Sequence, residues 1–320
     1  MIYTRIAGIG AYLPPNIMSN EELSKTVDTS HEWIVERTGI ERRHIAGIDE
    51  TASSMAEAAA REAIREANIS PQDIDFILAA TATPDFLFPG VACLMQNRLD
   101  TGTCPALDIS AACSGFIYGL SIADQYIKNN LAKNVLLITT EVMSRLLDWT
   151  DRRTCILFGD GAAAVVLQPN ENPGVLSTHL HADGHYKDLL WVPSPLESQR
   201  KEGVKAHVNM QGNEVFKIAV NSLSKAVDEV LEHNHLDSDA IDWLVPHQAN
   251  FRIIQAIAKK LNMSMEKVVL TIADQGNTSS ASIPLALHRA IRDGRIKRGE
   301  TLLLEAFGAG LTWGSALVKY

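Results

Sequence analysis

The chain has 320 residues, 46% apolar and 21% charged, enough for a sizeable buried core and unlike the polar composition of disordered chains. Its formal charge of −9 at pH 7 argues against broad affinity for nucleic acid or an anionic membrane. No run of about 18 apolar residues is present to cross a bilayer, and the start, Met1-Ile-Tyr-Thr-Arg-Ile-Ala-Gly, does not read as a secretory segment, so the expectation is a soluble, cytoplasmic protein.

Along the chain, Gly8-Ile-Gly10-Ala-Tyr-Leu13 opens like a dinucleotide fingerprint but has Leu13 where the third glycine belongs, so that reading is rejected. Ser53 to Ala67 has helical periodicity, and Phe76-Ile-Leu-Ala-Ala reads as a strand buried on both faces. Cysteines 93, 104, 113 and 155 form no CxxC pair, which favours reduced thiols over a disulfide framework or a zinc site. Cys104 to Ala112 reads as a strand and Ser114 to Lys128 as a helix with an apolar face, leaving Cys113 at their junction.

A thiol at a helix N-terminus feels the positive end of the macrodipole, which favours the nucleophilic thiolate. Ala111, Ala112, Ser114 and Gly115 are small enough to leave room for a substrate. By position alone, Cys113 fits a nucleophile and a buried structural cysteine equally well.

Val135-Leu-Leu-Ile is a second strand-like run, and Pro169, Asn170, Asn172, Pro173 and Gly174 then cluster as turn signals. His179, His181 and His185 have no nearby cysteine pair and no helical H-E-x-x-H spacing, so no metal is expected. After a helical stretch from Glu214 to Leu231, Trp243-Leu-Val-Pro-His247 reads as a strand that ends before a helix beginning near Phe251. His247 suits proton transfer or charge stabilisation there, although a lone histidine is more often an ordinary hydrogen-bonded residue. Gln275-Gly-Asn277-Thr-Ser-Ser precedes another apolar helix; Asn277 offers a side-chain donor, while the segment alone is simply a good N-cap cluster.

The chain repeats itself once. Ile74-Asp-Phe-Ile-Leu recurs 167 residues on as Ile241-Asp-Trp-Leu-Val, Asn134-Val-Leu-Leu-Ile parallels Gly299-Glu-Thr-Leu-Leu at nearly the same offset, and the Cys113 region falls opposite Thr278-Ser-Ser-Ala-Ser. Two copies are too few for a solenoid. Alternating strands and helices imply an α/β fold of largely parallel sheets, internally duplicated into two pseudo-twofold-related halves, residues 1–171 and 172–320, packed in layers. Such symmetry would bring Cys113, His247 and Asn277 to one pocket. A thiol to attack, with an imidazole and an amide to hold developing negative charge, suits thioester chemistry.

These residues resemble the β-ketoacyl-acyl carrier protein synthase III family of the thiolase superfamily. The likeness spans essentially the whole chain, through Asp108-Ile-Ser-Ala-Ala-Cys-Ser-Gly-Phe, Phe158-Gly-Asp-Gly-Ala-Ala-Ala, His179-Leu-His-Ala-Asp-Gly, Val245-Pro-His-Gln-Ala-Asn-Phe-Arg, Gly276-Asn-Thr-Ser and Glu305-Ala-Phe-Gly-Ala-Gly-Leu-Thr-Trp-Gly. It implies a thiolase-like fold, a homodimer and a catalytic set of Cys113, His247 and Asn277. Cys113 would take a short acyl group from coenzyme A, acetyl by default. Malonyl-acyl carrier protein would then decarboxylate to an enolate held by His247 and Asn277, and condense with the acyl group, without metal or redox cofactor.

The resemblance further implies an oxyanion hole from the backbone N–H groups of Cys113 and Ala309, where the family usually has three successive glycines. It assigns Trp33 and Arg152 to the adenine of coenzyme A, with Arg153 standing where glycine is common, and Thr29, Arg37, Gly212, Phe216 and Asn250 to the pantetheine tunnel. Phe307 would line the acyl pocket, and Phe88 would close the pocket of a partner subunit. Lys217, Gln248, Arg252, Lys259 and Lys260 would meet the acidic carrier protein.

A Cys, His, Asn order also occurs in papain-like thiol hydrolases, and an inactive acyl-thioester binding protein is a third possibility. The duplication counts against the first and the intact set of three against the second. Thiolases use a second cysteine, and elongating synthases a second histidine, where this chain has neither, which favours the initiating synthase.

Overall fold

The computed structural model describes residues 2–200 and 204–320. Two sheets form its frame. One contains β1 (Tyr3–Tyr12), β2 (Phe76–Ala80), β3 (Ala106–Ile109), β4 (Val135–Glu141) and β5 (Gly161–Asn170), in the order β1-β5-β4-β2-β3. The other contains β6 (Val175–Ala182), β7 (Trp243–Pro246), β8 (Thr301–Gly308) and β9 (Thr312–Lys319), in the order β6-β9-β8-β7. Around them lie α1 (His31–Thr38), α2 (Ala52–Glu66), α3 (Val91–Leu99), α4 (Gly115–Lys128), α5 (Gly212–Asn234), α6 (Phe251–Lys260) and α7 (Ser282–Arg292).

Each sheet begins with two antiparallel pairings and continues in parallel. The fifth strand of the first sheet is matched in the second by a single parallel bridge, Leu244 to Val268. β5 ends at Asn170 and β6 starts at Val175, so the turn-rich stretch between them carries the chain from one sheet to the other.

Side-chain alternation explains the long apolar runs within these strands. Phe76, Leu78, Val135 and Leu137 face a central core shared with α4 and α7, whereas Ile77, Ala79, Leu136 and Ile138 face the cluster under α2 and α3. In the second sheet Leu302 and Leu304 join the central core and Leu303 packs with residues of α5 and α6. Every second residue of these apolar runs thus points to a different buried layer, with both faces covered. Phe116, Ile117, Leu120, Ala123 and Ile127 of α4 all enter the central core, because this helix lies between the sheets. Truncating Leu137 to Ala would cost about 2–5 kcal/mol by cavity formation.

Gly8 and Gly10 serve packing. A side chain at either would collide with the carbonyl oxygens of Ala63 and Ala59, so their absence lets α2 lie directly on β1.

The strand expected from Cys104 to Ala112 is shorter, Ala106–Ile109, because the chain must turn before Cys113. A 3-10 turn over Ala112–Ser114 leads into α4, and a matching turn over Ser279–Ala281 leads into α7. Both turns open on a residue with positive φ, 44° at Ala112 and 49° at Ser279, 167 residues apart. The two helices therefore leave corresponding sheet ends by the same sharp bend.

Candidate active site

A cavity of about 710 Å³ opens between the halves. Cys113, His247, Asn277, Glu305 and Phe307 form its buried wall, while Trp33, Arg37, Gly212, Phe216 and Arg252 line the more open part.

Cys113 stands at the bend before α4, as the residue pattern suggested, and is 8% exposed. Burial, together with the nearby Glu141 carboxylate, pushes its thiol up to about 12. A helix terminus contributes at most about 2 kcal/mol, or roughly 1.5 pKa units, which does not offset that shift. Burial at this position thus opposes the pull toward thiolate that the helix terminus supplies. Its Sγ donates toward the Ser279 hydroxyl at 3.5 Å.

The bend is clamped to the loop after β8. A side chain at Gly308 would lie 2.7 Å from the Cys113 backbone nitrogen, so only glycine permits this approach. The Thr312 hydroxyl lies 2.6 Å from Ser114 Oγ, 3.2 Å from the Ala111 carbonyl and 3.1 Å from the Ala309 carbonyl. Ala309 has no left-handed backbone, the positive φ in this loop falling on Gly310 at 138°, so alanine in the glycine run costs no backbone strain.

His247 follows β7 and is buried, which pushes its imidazole down to about 3 and keeps it neutral at pH 7. Its Nδ1 lies 2.6 Å from the Ser282 hydroxyl, whose oxygen also accepts the Gln248 N–H at 3.2 Å. With Ser282 donating to Nδ1, Nε2 is the nitrogen that carries the N–H toward the cavity. Asn277 is oriented by the opposite logic. Its Oδ1 accepts the Ser279 N–H at 2.8 Å, and its main chain bonds Leu157 and Gly159, so its NH2 group is the part available to the cavity.

Glu305 carries the strongest unexplained polarity in the wall. Both carboxyl oxygens are buried without a hydrogen-bond partner, and desolvation pushes the group up to about 8, so it is mostly protonated at pH 7. A charged residue inside Leu302-Leu-Leu-Glu-Ala-Phe was a visible signal for it. The same signal marks Glu141 at the end of the apolar β4.

At the mouth, Trp33 has the Arg37 guanidinium 4.6 Å and the Arg152 guanidinium 5.2 Å from its ring centre. Arg152 also donates to the Asp28 carbonyl at 2.7 Å, so a ring entering beside Trp33 would have to displace it. Arg153 lines the opening but forks onto Asp151 at 2.8 and 3.0 Å. The Asn250 side chain caps α6 at Arg252 N–H and donates to the Arg37 carbonyl, tying α6 to α1. Thr29 lies outside the cavity wall, its hydroxyl buried and without a partner. Phe88 is 85% exposed and does not line the cavity of its own chain.

Among the cations assigned to docking, Lys217 pairs with Glu214 at 2.9 Å and Lys260 with Asp228 at 2.7 Å. Lys259 is exposed, and the exposed Arg252 lies over Phe216 at 5.5 Å. Gln248 requires correction. It is completely buried, donating to the Pro246 and Val269 carbonyls at 2.8 and 3.1 Å and accepting the Thr271 and Ile272 N–H groups at 2.9 and 3.1 Å. Its carboxamide is saturated by backbone and holds the end of β7 to a neighbouring loop, so it presents nothing to a docking protein. His179 and His181 flank Glu229 at 3.3 and 2.6 Å, and no group of three or more potential metal-binding side chains occurs among the described residues.

Comparison with known proteins adds to this geometry. Residues 107–184 match the family model for 3-oxoacyl-[acyl-carrier-protein (ACP)] synthase III, and residues 231–320 match its C-terminal model. A β-ketoacyl-[acyl-carrier-protein] synthase III of Methylococcus capsulatus is 60% identical over 318 residues, covering 99% of each chain. One from Thioalkalivibrio sulfidiphilus is 54% identical, with complete coverage of both. The crystal structure of 3-oxoacyl-[acyl-carrier-protein] synthase III from Aquifex aeolicus superposes with a TM-score of 0.94 at 49% identity, covering 99% of this chain and 100% of that one. The chain belongs to the β-ketoacyl-[acyl-carrier-protein] synthase III family.

Proposed function

We propose that this protein moves a short acyl group, acetyl by default, from coenzyme A to Cys113. It then condenses that group with malonyl-acyl carrier protein, releasing CO2 and β-ketoacyl-carrier product and initiating a fatty acid chain. Family membership supports the reaction class. The observation that carries the assignment is one cavity wall holding a thiol beside an imidazole and an amide, with His247 Nδ1 and Asn277 Oδ1 both tied away from the cavity.

In this reading Cys113 attacks the thioester carbon, and the backbone N–H groups of Cys113 and Ala309 hold the resulting oxyanion. Decarboxylation then places negative charge on the malonyl thioester oxygen. His247 Nε2–H and the Asn277 NH2 group stabilise that charge as preoriented donors in a desolvated site. Because the imidazole is neutral, it donates a hydrogen bond without first having to lose or gain a proton. The enolate carbon attacks the acyl-cysteine, and no metal or redox group is required by these steps.

Trp33, Arg37, Gly212 and Phe216 suit the coenzyme A end of the cavity, with Arg152 moving aside to admit a ring beside Trp33. Arg252 and Lys259 suit an acidic carrier protein. Pairing of two copies is supported by the exposed apolar run Phe86-Leu87-Phe88 and by the half-exposed Leu107 on edge strand β3. No described helix is long and apolar enough to cross a membrane, and a cytoplasmic location is part of the proposal. The test is mass spectrometry of products from malonyl-carrier protein and coenzyme A thioesters from acetyl to octanoyl. Hydrolysis without chain extension would favour the thiol hydrolase alternative.

A further inference from the structure

A buried chain of hydrogen bonds runs from Cys113 away from the cavity. The Cys113 thiol faces Ser279 Oγ at 3.5 Å, and the Ser279 hydroxyl donates to Glu141 Oε1 at 3.1 Å. Glu141 is completely buried at the end of β4 and lies outside the cavity wall. Its Oε1 also faces the Ser280 hydroxyl at 2.7 Å, while Oε2 accepts the Ala82 N–H at 3.0 Å and the Thr83 hydroxyl at 3.1 Å. This ring of donors suits a carboxylate that can exist charged in the interior, while desolvation raises its affinity for a proton.

We propose that Ser279 and Glu141 are positioning residues that carry the Cys113 proton away during acyl transfer and return it during condensation. The inference rests on the acyl-transfer reading above. Burial favours the protonated form of Cys113, and a thiol needs a proton acceptor when it attacks. His247 is a poor acceptor, since Ser282 engages its Nδ1 and burial disfavours a charged imidazole. The ionisable groups near this path are Cys113 itself and, in the cavity wall, His247 and Glu305, both held mostly neutral at pH 7 by burial.

In the first stage Sγ bonds to the acyl carbon as its proton passes to Ser279 Oγ and the Ser279 proton passes to Glu141. The carbon–sulfur bond to coenzyme A breaks, and the departing thiolate takes a proton from water. In the second stage the malonyl carboxylate leaves as CO2, the new carbon–carbon bond forms, and the carbon–sulfur bond to Cys113 breaks. The expelled Cys113 thiolate then recovers the proton held on Glu141. One proton is taken from water per turnover, and the enzyme returns to its starting state.

The test uses full-length parent, Glu141→Gln and Ser279→Ala, with acetyl-coenzyme A as the probe. Ser279→Ala keeps a small side chain at φ 49° and provides a second route if the buried glutamine misfolds. Cys113 acetylation is followed by rapid-quench mass spectrometry from pH 6 to 9, and proton uptake by an indicator dye at pH 6.5. Each variant is expected to acetylate about 100-fold more slowly at pH 7, the scale of general-base assistance, with a rate rising about tenfold per pH unit as thiolate replaces the missing path. Acetylation should fall at least about 30-fold more than malonyl-carrier decarboxylation. The parent should take up about one proton per acetyl group and Glu141→Gln none.

Near-parent acetylation with an unchanged pH profile in both variants would overturn the proposal. So would parallel loss of both partial reactions, or absence of proton uptake by the parent. A parent that never acetylates Cys113 would instead remove the acyl-transfer reading.

Discussion

The Ser282 hydroxyl lies 2.6 Å from His247 Nδ1, and this contact decides which imidazole nitrogen faces the cavity. Ser282 is the first residue of α7, and His247 follows β7, so the donor is oriented by two elements of the same half. His247→Ala and Asn277→Ala should each cut malonyl-carrier decarboxylation about 100- to 1,000-fold, the usual effect of losing one preoriented oxyanion donor. Both should still accept acetyl on Cys113. Parallel assays of acylation and CO2 release check the split, and condensation near the parent rate would remove the residue concerned from its role.

Cys113→Ala should show the converse separation. Acyl-enzyme formation should vanish, whereas malonyl-carrier decarboxylation should persist, because the thiol does not hold the enolate. Intact-protein mass spectrometry with acetyl-coenzyme A decides this directly. An adduct on the variant would move the nucleophile to Cys93, Cys104 or Cys155; of these Cys155 is fully buried and pushed up to about 11 by desolvation.

Buried Glu305 and His247 should tilt stability in opposite directions with pH. Glu305 has a folded pKa near 8 against an ordinary 4.5, so between these values the native state binds more protons than the unfolded chain. Its contribution is fully present below about 4.5 and is lost as pH rises through 8, amounting to up to about 5 kcal/mol. His247, pushed from 6.5 to about 3, is the reverse: its contribution is present above 6.5 and is lost as pH falls toward 3. Glu305→Gln should gain stability relative to the parent from pH 5 to 9, measured by urea unfolding at each pH. A difference independent of pH would show that Glu305 has no raised folded pKa.

The sequence was most legible where one periodicity served one purpose. Alternating apolar residues such as Ile77 and Leu78 implied strands buried on both faces, and the 167-residue offset aligned Ala112 with Ser279, which share the same positive-φ bend. Depth was not legible. Gln248 follows His247 at a strand end and gave no sign that backbone groups would saturate its carboxamide. Cys113 illustrates the same gap, since a helix N-terminus is visible in the sequence but the desolvation that opposes it comes from surrounding elements. Glu141 and Ser279 lie 138 residues apart, and only the packing of one half against the other joins them.

A final prediction concerns how an acidic enzyme receives an acidic protein. Lys217 and Lys260 are already paired with Glu214 and Asp228, so their charges are largely spent within the chain. Arg252 has no carboxylate partner among the described residues and lies beside Phe216 at the open part of the cavity. Reversing it, Arg252→Glu, should raise the apparent KM for malonyl-carrier protein about tenfold or more, because a like charge now opposes the carrier at the doorway. Acetyl transfer from coenzyme A should change far less, since that substrate needs no protein docking. Parent affinity for the carrier should also weaken with salt, as exposed charges are screened over about 8–10 Å at physiological ionic strength. Lys217→Ala and Lys260→Ala should have smaller effects than Arg252→Glu because each removes a charge that is already balanced. Normal use of malonyl-carrier protein by Arg252→Glu at low salt would move the docking surface elsewhere while leaving the assignments of Cys113, His247 and Asn277 intact.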